Sequence, residues 1–218
     1  MRITSVEKQK RPSSHYMIHL DNGTSFMVHE DTLVKHRLLK DAQLTPLEVE
    51  HIVLEDQGQR AYRDALLHIG RRPRSQWEVR EKLLQLGYDS NLVQSVVEKL
   101  VDQRYVDDQQ FARMWVEERI VRQKKGRNVI MHELRQKGVA KEWIVAALEH
   151  VEDGAEMESA YNLLCKRWPH MRGTDQEKKR KLGQYLLRRG FTSSVIRESF
   201  RRWNKESHEA LHEERPDT

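Results

Sequence analysis

The chain has 218 residues, of which 37% are hydrophobic and 33% are charged, and its formal net charge is +5. Because no stretch approaches the roughly 20 apolar residues that a transmembrane helix needs, the sequence predicts a protein without membrane spans. The single cysteine, Cys165, excludes an internal disulfide, and it favours a cytoplasmic protein because thiols persist in a reducing compartment.

The first 44 residues differ from the rest of the chain because they are rich in strand-forming side chains. Between the second and third of their strand-like runs stands Asn22-Gly23, a strong hairpin signal because both residues of a tight two-residue turn need a positive φ. The sequence predicts a small β-meander with one face covered by the helices that follow, since two or three strands alone are marginal in water. The three runs are residues 3–10, 15–20 and 24–30.

Two helices are predicted between this β segment, residues 1–44, and the repetitive part of the chain. Residues 31–39 are expected to form a short helix at the end of the β segment, and residues 45–58 a linker helix. Thr45 is a favourable N-cap residue for the linker helix, and Pro46 fits its first turn because that turn leaves an amide hydrogen unbonded in any case.

From residue 59 onward, one apolar pattern recurs three times in register with Gly87, Gly138 and Gly190, which lie 51 and 52 residues apart. The apolar steps of three or four residues are typical of helices. Each glycine is predicted to end a helix in the left-handed conformation, where a Cβ would be costly. The residues four before and one after each glycine are Leu83 and Tyr88, Leu134 and Val139, and Leu186 and Phe191.

The pattern predicts a mainly α fold, with three tandem three-helix repeats in an elongated stack of either curvature, preceded by the β segment. Ser75 with Glu78 has the spacing of a capping box, and Asp107 with Gln110 opens the second repeat in the same way. The predicted domains are a repeat at 59–104, a repeat at 105–152, a repeat at 153–205 and a disordered polar tail at 206–218.

A catalytic constellation is not evident in the sequence. His208-Glu209-Ala210-Leu211-His212 matches the H-E-x-x-H motif of zinc proteases, but it lies in the polar tail and no third ligand candidate follows it at a metalloprotease spacing. No glycine-rich phosphate loop is present. We therefore expect a protein that is not an enzyme and that has no catalytic residue, no metal and no cofactor.

Basic residues are concentrated late in the chain and around the repeat glycines. Residues 174–205 contain ten lysines and arginines against three acidic residues, a local charge of +7. Each cluster alone is typical of a solvated helix surface, but their recurrence favours a basic stripe for a long polyanionic or filamentous partner. The candidate residues for binding a partner or DNA are Arg72, Arg74, Lys124, Lys125, Arg127, Lys178, Lys179, Arg180, Lys181, Arg188 and Arg189.

Several ordered motifs resemble those of the RecX family of recombination regulators. The run RPRSQWEVREKL at 72–83, with Gly87-Tyr88 after it, resembles the family's first repeat, and RYVDDQQFAR at 104–113 is similar to the entry into its second. The KGR at 125–127, with the later KGV at 137–139, and the closing YLLRRGF at 185–191 look like further family motifs. The resemblance covers about residues 59–203.

The resemblance implies a non-enzymatic protein that binds the RecA nucleoprotein filament, bridges neighbouring protomers in its groove and restrains it. The restrained activities would be ATP hydrolysis, strand exchange and the co-protease activity that triggers the SOS response in DNA repair. We expect a monomer with at most weak, sequence-independent DNA binding. The alternative is a helix-turn-helix type of transcription regulator, because three short helices with a glycine turn also present a recognition helix to the major groove.

Overall fold

The structure, a computed structural model, describes residues 1–10, 14–151 and 154–213, and it describes only the backbone of residues 208–213. It is mainly helical with one three-stranded antiparallel sheet near the start of the chain, which confirms the predicted fold class. The chain forms two compact units. The first contains Met1–Arg72 with Val79–Tyr105, and the second contains Pro73–Glu78 with the residues from Val106 onward.

The sheet has the order β1-β2-β3 and shares its core with the helices that follow, as the sequence predicts. Ile3, Ile18 and Val28 come from the strands, whereas Leu38 and Ile52 come from the helical region, and all five are buried. Burial of these side chains stabilises a sheet that would be marginal alone. The elements are β1 (Ile3–Lys8), β2 (His15–Leu20), β3 (Ser25–His29), α1 (Glu30–Lys35) and α2 (Pro46–Ile69).

The turn between β2 and β3 differs from the two-residue turn that Asn22-Gly23 predicts. Gly23 has a φ of +82°, but Asn22 is not among the described residues with positive φ. The Gly23 amide donates to Leu20 O at 3.1 Å, and the Leu20 amide donates to Thr24 O at 2.9 Å. These bonds close a three-residue loop in which only the last residue has to be left-handed, so glycine is needed once.

Helix α2 is one continuous helix, so the predicted linker helix and the first helix of the first repeat are a single element. Its start is as predicted, with Thr45 as N-cap and a complete capping box to Glu48. Gly58 lies inside the helix, where the Leu92 side chain comes within 3.6 Å of the position that a Cβ would take. A single glycine weakens a helix by only about 1 kcal/mol, so packing on both sides of Gly58 carries the helix through it.

The side chain of Asp56 on α2 forms hydrogen bonds with the end of β3 and with α1. This side chain is 1% exposed, and its Oδ1 accepts hydrogen bonds from the His29 amide at 2.7 Å and from Thr32 Oγ1 at 2.8 Å. Its other oxygen lies 3.0 Å from Arg60 Nε. The acidic segment 45–56 thus contributes a structural carboxylate as well as surface charge.

The three repeats follow in order. In each of them the second and third helices are separate elements. The first repeat uses the end of α2, then α3 (Gln76–Gln85) and α4 (Ser90–Asp102). The second repeat has α5 (Asp108–Glu117), a π-helical turn (Glu118–Arg122), α6 (Arg127–Gln136) and α7 (Lys141–Glu149). The third repeat has α8 (Ala155–Arg167), a 3-10 turn (Trp168–His170), α9 (Asp175–Arg188) and α10 (Ser193–Glu213).

Helix α10 continues to Glu213. The predicted disorder of the tail at 206–218 stays a prediction. The side chains of His208, Glu209 and His212, which form the zinc-protease-like motif, lie outside the described residues. The predicted repeat bounds stay predictions, since helix limits alone do not define a domain.

The three repeat glycines end their helices in the predicted left-handed conformation. Gly87, Gly138 and Gly190 have φ values of +86°, +69° and +91°. In each repeat the residue after the glycine donates its amide hydrogen to the carbonyl of the leucine that stands four residues before the glycine. In the third repeat this bond joins the Phe191 amide to Leu186 O at 3.2 Å. This is the Schellman motif, whose flanking apolar residues pack together, and it explains why both positions are apolar in every copy.

Within the second unit, the glycine turn of one repeat docks on the start of the middle helix of the repeat before it. The Gly126 amide donates to Arg189 O at 2.9 Å, and the Asn128 amide donates to Gly190 O at 3.1 Å. A Cβ on Gly126 would lie 2.2 Å from the Phe191 amide nitrogen. We call this contact, Gly126–Asn128 against Arg189–Phe191, the glycine joint.

An equivalent contact joins the segment 73–78 to the second repeat. Ser75 and Gly126 each stand 12 residues before the glycine of their own repeat, and Ser75 Oγ donates to Lys137 O at 2.7 Å. Ser75 also forms the predicted capping box with Glu78. In the third repeat the equivalent residue, Lys178, lies inside α9, because that helix begins three residues earlier, at Asp175.

A buried histidine pair lies where the sheet meets α2. His15 and His29 are opposite each other in the β2–β3 pairing, and their ring centroids are 5.3 Å apart. Burial lowers the pKa of His15, and the positive charge of Arg60 and the neighbouring His29 lower it further, while Asp56 opposes them. The folded first unit therefore favours the neutral form of His15.

Replacing Gly126 with alanine is expected to destabilise the second unit by at least about 3 kcal/mol, because the new methyl group would overlap the backbone of the glycine joint. Gly183→Ala is the matched control. There the nearest atom, Phe200 Cε2, is 4.0 Å away and a helix interior favours alanine by about 0.5–1 kcal/mol. Urea denaturation followed by tryptophan fluorescence measures both variants, and equal unfolding free energies would contradict the joint.

The first unit is expected to lose stability as the pH falls through about 6.5 toward the lowered pKa of folded His15. The reason is that the unfolded chain then binds a proton that the folded unit takes up less readily. Chemical denaturation at pH 7.5 and about 5.5 measures the loss. His15→Gln should flatten this pH dependence, and an unchanged slope in that variant would show that another group is responsible.

Candidate partner-binding surface

The first pair of candidate cations, Arg72 and Arg74, lies just before α3. Arg72 is exposed, whereas Arg74 is half-buried with its Nη1 3.6 Å from Glu78 Oε1. The same carboxylate accepts a hydrogen bond from Lys137 Nζ at 2.9 Å. Arg74 therefore helps to fix the start of α3 on the second repeat, and Arg72 is the more accessible of the two.

Lys125 belongs to a network built around Glu133 on α6. Glu133 accepts hydrogen bonds from Trp115 Nε1 at 2.9 Å, Arg119 Nε at 2.9 Å and Lys125 Nζ at 2.5 Å. Burial works to raise the pKa of Glu133, but these three hydrogen bonds outweigh it and the pKa is lowered. Because the ionised carboxylate already binds two cations, Lys125 is largely committed inside the protein.

Two cations lie close to the indole ring of Trp115. The Arg119 guanidinium lies 3.9 Å from the ring centroid, and Lys137 Nζ lies 4.5 Å from it. Such cation–π contacts contribute roughly 0.5–2 kcal/mol each, depending on exposure. Sequence reasoning missed this cluster, although the four-residue spacing of Trp115 and Arg119 on one helix is a signal that they share a face.

Arg127 is held by a carboxylate from the next repeat. Its amide donates to Glu156 Oε1 at 2.9 Å and its Nε donates to Glu156 Oε2 at 2.6 Å. Glu156 is buried, so the pair closes the start of α6 against the start of α8. Lys124, which is half-buried and has a φ of +49°, contributes its carbonyl to a contact with Arg189.

Arg189 and Arg188 are neighbours in sequence but differ in environment. The Arg189 guanidinium donates to the carbonyls of Lys124, at 3.1 Å, and of Gln123, and it lies 5.7 Å from the Tyr185 ring. Arg189 thus supports the glycine joint. Arg188 is exposed and has no ion pair among the described residues.

Helix α9 carries the candidate cations that are most accessible. Lys179, Arg180 and Lys181 are exposed, and within the described part of the chain none of them pairs with a carboxylate. Lys178 differs, since its Nζ lies 5.5 Å from the Trp168 ring and 3.9 Å from Asp175.

Four residues on the outer side of α9 form one continuous surface. Arg180 and Leu187, like Lys181 and Arg188, are seven residues apart and therefore lie on one side of the helix. The buried residues Leu182 and Leu186 mark the opposite side. We call Arg180, Lys181, Leu187 and Arg188 the α9 face.

Two further properties concern the described residues alone. None of the helices in these ranges is long and apolar enough to cross a membrane. Likewise, their histidine, cysteine, aspartate and glutamate side chains do not gather in groups of three that could hold a metal ion.

Comparison with known proteins gives consistent results from sequence and structure. Models of the first, second and third three-helix domains of RecX match residues 61–100, 107–148 and 155–199. Among relatives, the regulatory protein RecX of Bacillus cytotoxicus is 29% identical over 199 residues, which cover 89% of this chain and 74% of the relative. That of Limosilactobacillus reuteri (strain DSM 20016) is 31% identical over 195 residues, with coverages of 89% and 74%.

Two solved structures are similar over most of their length. A crystal structure of regulatory protein RecX has a TM-score of 0.68 and 30% identity, and it covers 90% of this chain and 97% of its own. The crystal structure of RecX from Lactobacillus salivarius has a TM-score of 0.63 and 25% identity, with coverages of 69% and 98%. Fold and sequence thus indicate the same relatives.

Alanine should reduce stability at Arg189 but leave it almost unchanged at Arg188. Arg189→Ala removes two hydrogen bonds to carbonyls at the glycine joint, and we expect the unfolding free energy to fall by about 2 kcal/mol. Arg188→Ala should change it by less than about 0.5 kcal/mol, as is usual for exposed side chains. Thermal and urea unfolding of the two variants compare them directly, and a larger loss for Arg188→Ala would refute the assignment.

Proposed function

The chain belongs to the RecX family of regulatory proteins, and we propose that it binds the filament that RecA forms on single-stranded DNA and inhibits it. The inhibited activities would be strand exchange, ATP hydrolysis and the co-protease activity of the SOS response. The partner follows from the family motifs in the sequence. The proposed contact surface is the α9 face, because its cations are exposed and pair with no carboxylate among the described residues.

The observation that carries the proposal is the difference between engaged and available cations. Lys125, Arg127 and Arg189 each satisfy a carboxylate or a carbonyl inside the second unit. Arg180, Lys181 and Arg188 have no such partner among the described residues. Cations of this kind gain most from a polyanionic partner, because binding releases its condensed counterions without breaking an internal ion pair.

Leu187 makes the α9 face suitable for a nucleoprotein rather than for bare DNA. It is 52% exposed among the three cations, and a phosphate backbone offers it no apolar partner. A protein surface beside nucleic acid offers both an apolar contact and negative charge. The proposed partner, a protein filament wound around DNA, has this mixed character.

The helix-turn-helix alternative receives less support from the charges of the repeats. In that alternative the last helix of a three-helix unit enters the major groove and needs a positive surface. Helix α4 has one lysine against one glutamate and one aspartate, and α7 has one lysine against two glutamates, so each has a net charge of −1. Only α10 among these three helices is rich in arginine.

Two measurements test the function directly. Co-sedimentation of the chain with RecA assembled on single-stranded DNA should show binding, and RecA ATP turnover should fall as the chain is added. If the chain neither sediments with the filament nor changes turnover, the proposal fails. A sequence-specific footprint on duplex DNA would support the transcription regulator instead.

Charge reversal on the α9 face should weaken filament binding. We expect the triple variant Arg180→Glu, Lys181→Glu and Arg188→Glu to lose at least about tenfold in affinity, with a smaller loss at high salt. The control reverses three exposed cations on other helices by the same total charge, at Arg113, Arg135 and Lys141. Titrations at two salt concentrations compare the variants, and an equal loss in both would show that net charge rather than the α9 face matters.

A further inference from the structure

A small apolar groove lies in the first unit where α1 and the loop after it meet the start of α2. Its volume is about 300 Å³. Leu47, which lines it, is 76% exposed, so the groove presents an apolar surface to solvent at a cost in free energy. The lining residues of this groove, here called the α2 groove, are His36, Leu44, Leu47, Glu48, His51 and Ile52.

The start of α2, where Glu48 lines the α2 groove, is negatively charged. Glu48 and Glu50 are both exposed on the first turns of α2. Glu55 is also ionised, because its hydrogen bonds from Lys35 and His36 lower its pKa to about 2 against the opposing effect of burial, but Lys35 balances its charge. The Glu48 carboxylate also accepts hydrogen bonds from Thr45, but neither Glu48 nor Glu50 forms an ion pair with a cation among the described residues.

The α9 face has the complementary properties. It presents one exposed apolar side chain, Leu187, and three cations that pair with no carboxylate among the described residues. Opposite charges steer two surfaces together, and a single leucine entering an apolar pocket supplies short-range attraction. The chain thus carries both halves of a possible contact, an apolar projection with a basic rim and an apolar depression with an acidic rim.

We propose that the α9 face of one copy docks into the α2 groove of a second copy. Leu187 enters the groove and packs on Leu47, and Arg180 and Arg188 meet Glu48 and Glu50 of the other copy. Because the two surfaces differ, the contact is heterologous: each copy offers one free groove and one free α9 face to further copies. The result is a weak, open series of copies in place of the monomer that the sequence predicts.

Self-association has a regulatory consequence that rests on the proposed function. A copy whose α9 face is docked in a groove cannot use that face on a filament. At high concentration, association would therefore lower the fraction of copies that can bind the filament. The association itself needs neither RecA nor DNA. Its test is therefore made on the chain alone, and failure of the proposed filament binding would leave that test unaffected.

Sedimentation velocity over a range of concentrations tests the contact. We expect the wild-type chain, of 26.0 kDa, to shift to faster-sedimenting species above roughly 0.1 mM at low salt and to revert at high salt, as a small, charge-assisted contact should. Leu47→Asp in the groove and Leu187→Asp on the α9 face should each abolish the shift. Leu67→Asp is the control, since Leu67 is also an exposed leucine on α2, at 63% against 76% for Leu47, but does not line the groove, and it should behave as the wild type does.

A mixture of the two variants distinguishes this contact from any other. Leu47→Asp keeps its α9 face and Leu187→Asp keeps its groove, so the mixture should form a one-to-one dimer and nothing larger. Circular dichroism checks folding, and Arg180→Glu serves as a second α9-face variant if Leu187→Asp is unfolded. A wild type that stays monomeric, or variants that associate unchanged, would overturn the proposal. So would Leu47→Asp weakening filament binding in a chain that never self-associates, because the groove would then serve another protein.

Discussion

The close approach of Gly126 to the backbone of Gly190 and Phe191 is the contact on which the second unit depends. With 2.2 Å between a would-be Cβ and a backbone nitrogen, no side chain fits at Gly126. The middle helix of one repeat and the glycine turn of the next therefore meet backbone to backbone, and Arg189 adds bonds to the carbonyls beside them. The same joint fixes which neighbouring cations turn inward and which, like Arg188, face solvent.

The basic residues have two roles that composition does not distinguish: some pair with carboxylates within the second unit, and others are exposed to solvent on α9. Glu133 and Glu156 each bind cations within the second unit, and these pairs stabilise its packing. The exposed cations of α9 form no such pair among the described residues, so they contribute little to folding. Charged side chains that contribute little to stability are available to a partner, and the α9 face is therefore the proposed contact with the filament.

Helix ends and helix starts that depend on residues close together in the chain could be predicted from the sequence. Gly138 and its flanking Leu134 and Val139 define a helix end within six residues, and Ser75 with Glu78 defines a helix start. The sequence could not predict which cations are available, because Arg127 and its carboxylate are 29 residues apart and only packing brings them together. Continuity of α2 through Gly58 was missed for the same reason, since contacts from elsewhere in the chain offset a local weakness. The sequence therefore identifies the candidate cations, but only the structure distinguishes those that pair within the protein from those that are exposed.

The third repeat differs from the first two at the docking position, where it has Lys178. At this position the earlier repeats have Ser75 and Gly126, residues small enough at a helix start to receive a following glycine turn. The third repeat instead extends α9 backward through this position and covers it with a lysine that lies against Trp168. A further unit that docked on α9 as the third repeat docks on the second would therefore meet a lysine inside a helix, where the earlier repeats have a small residue at a helix start.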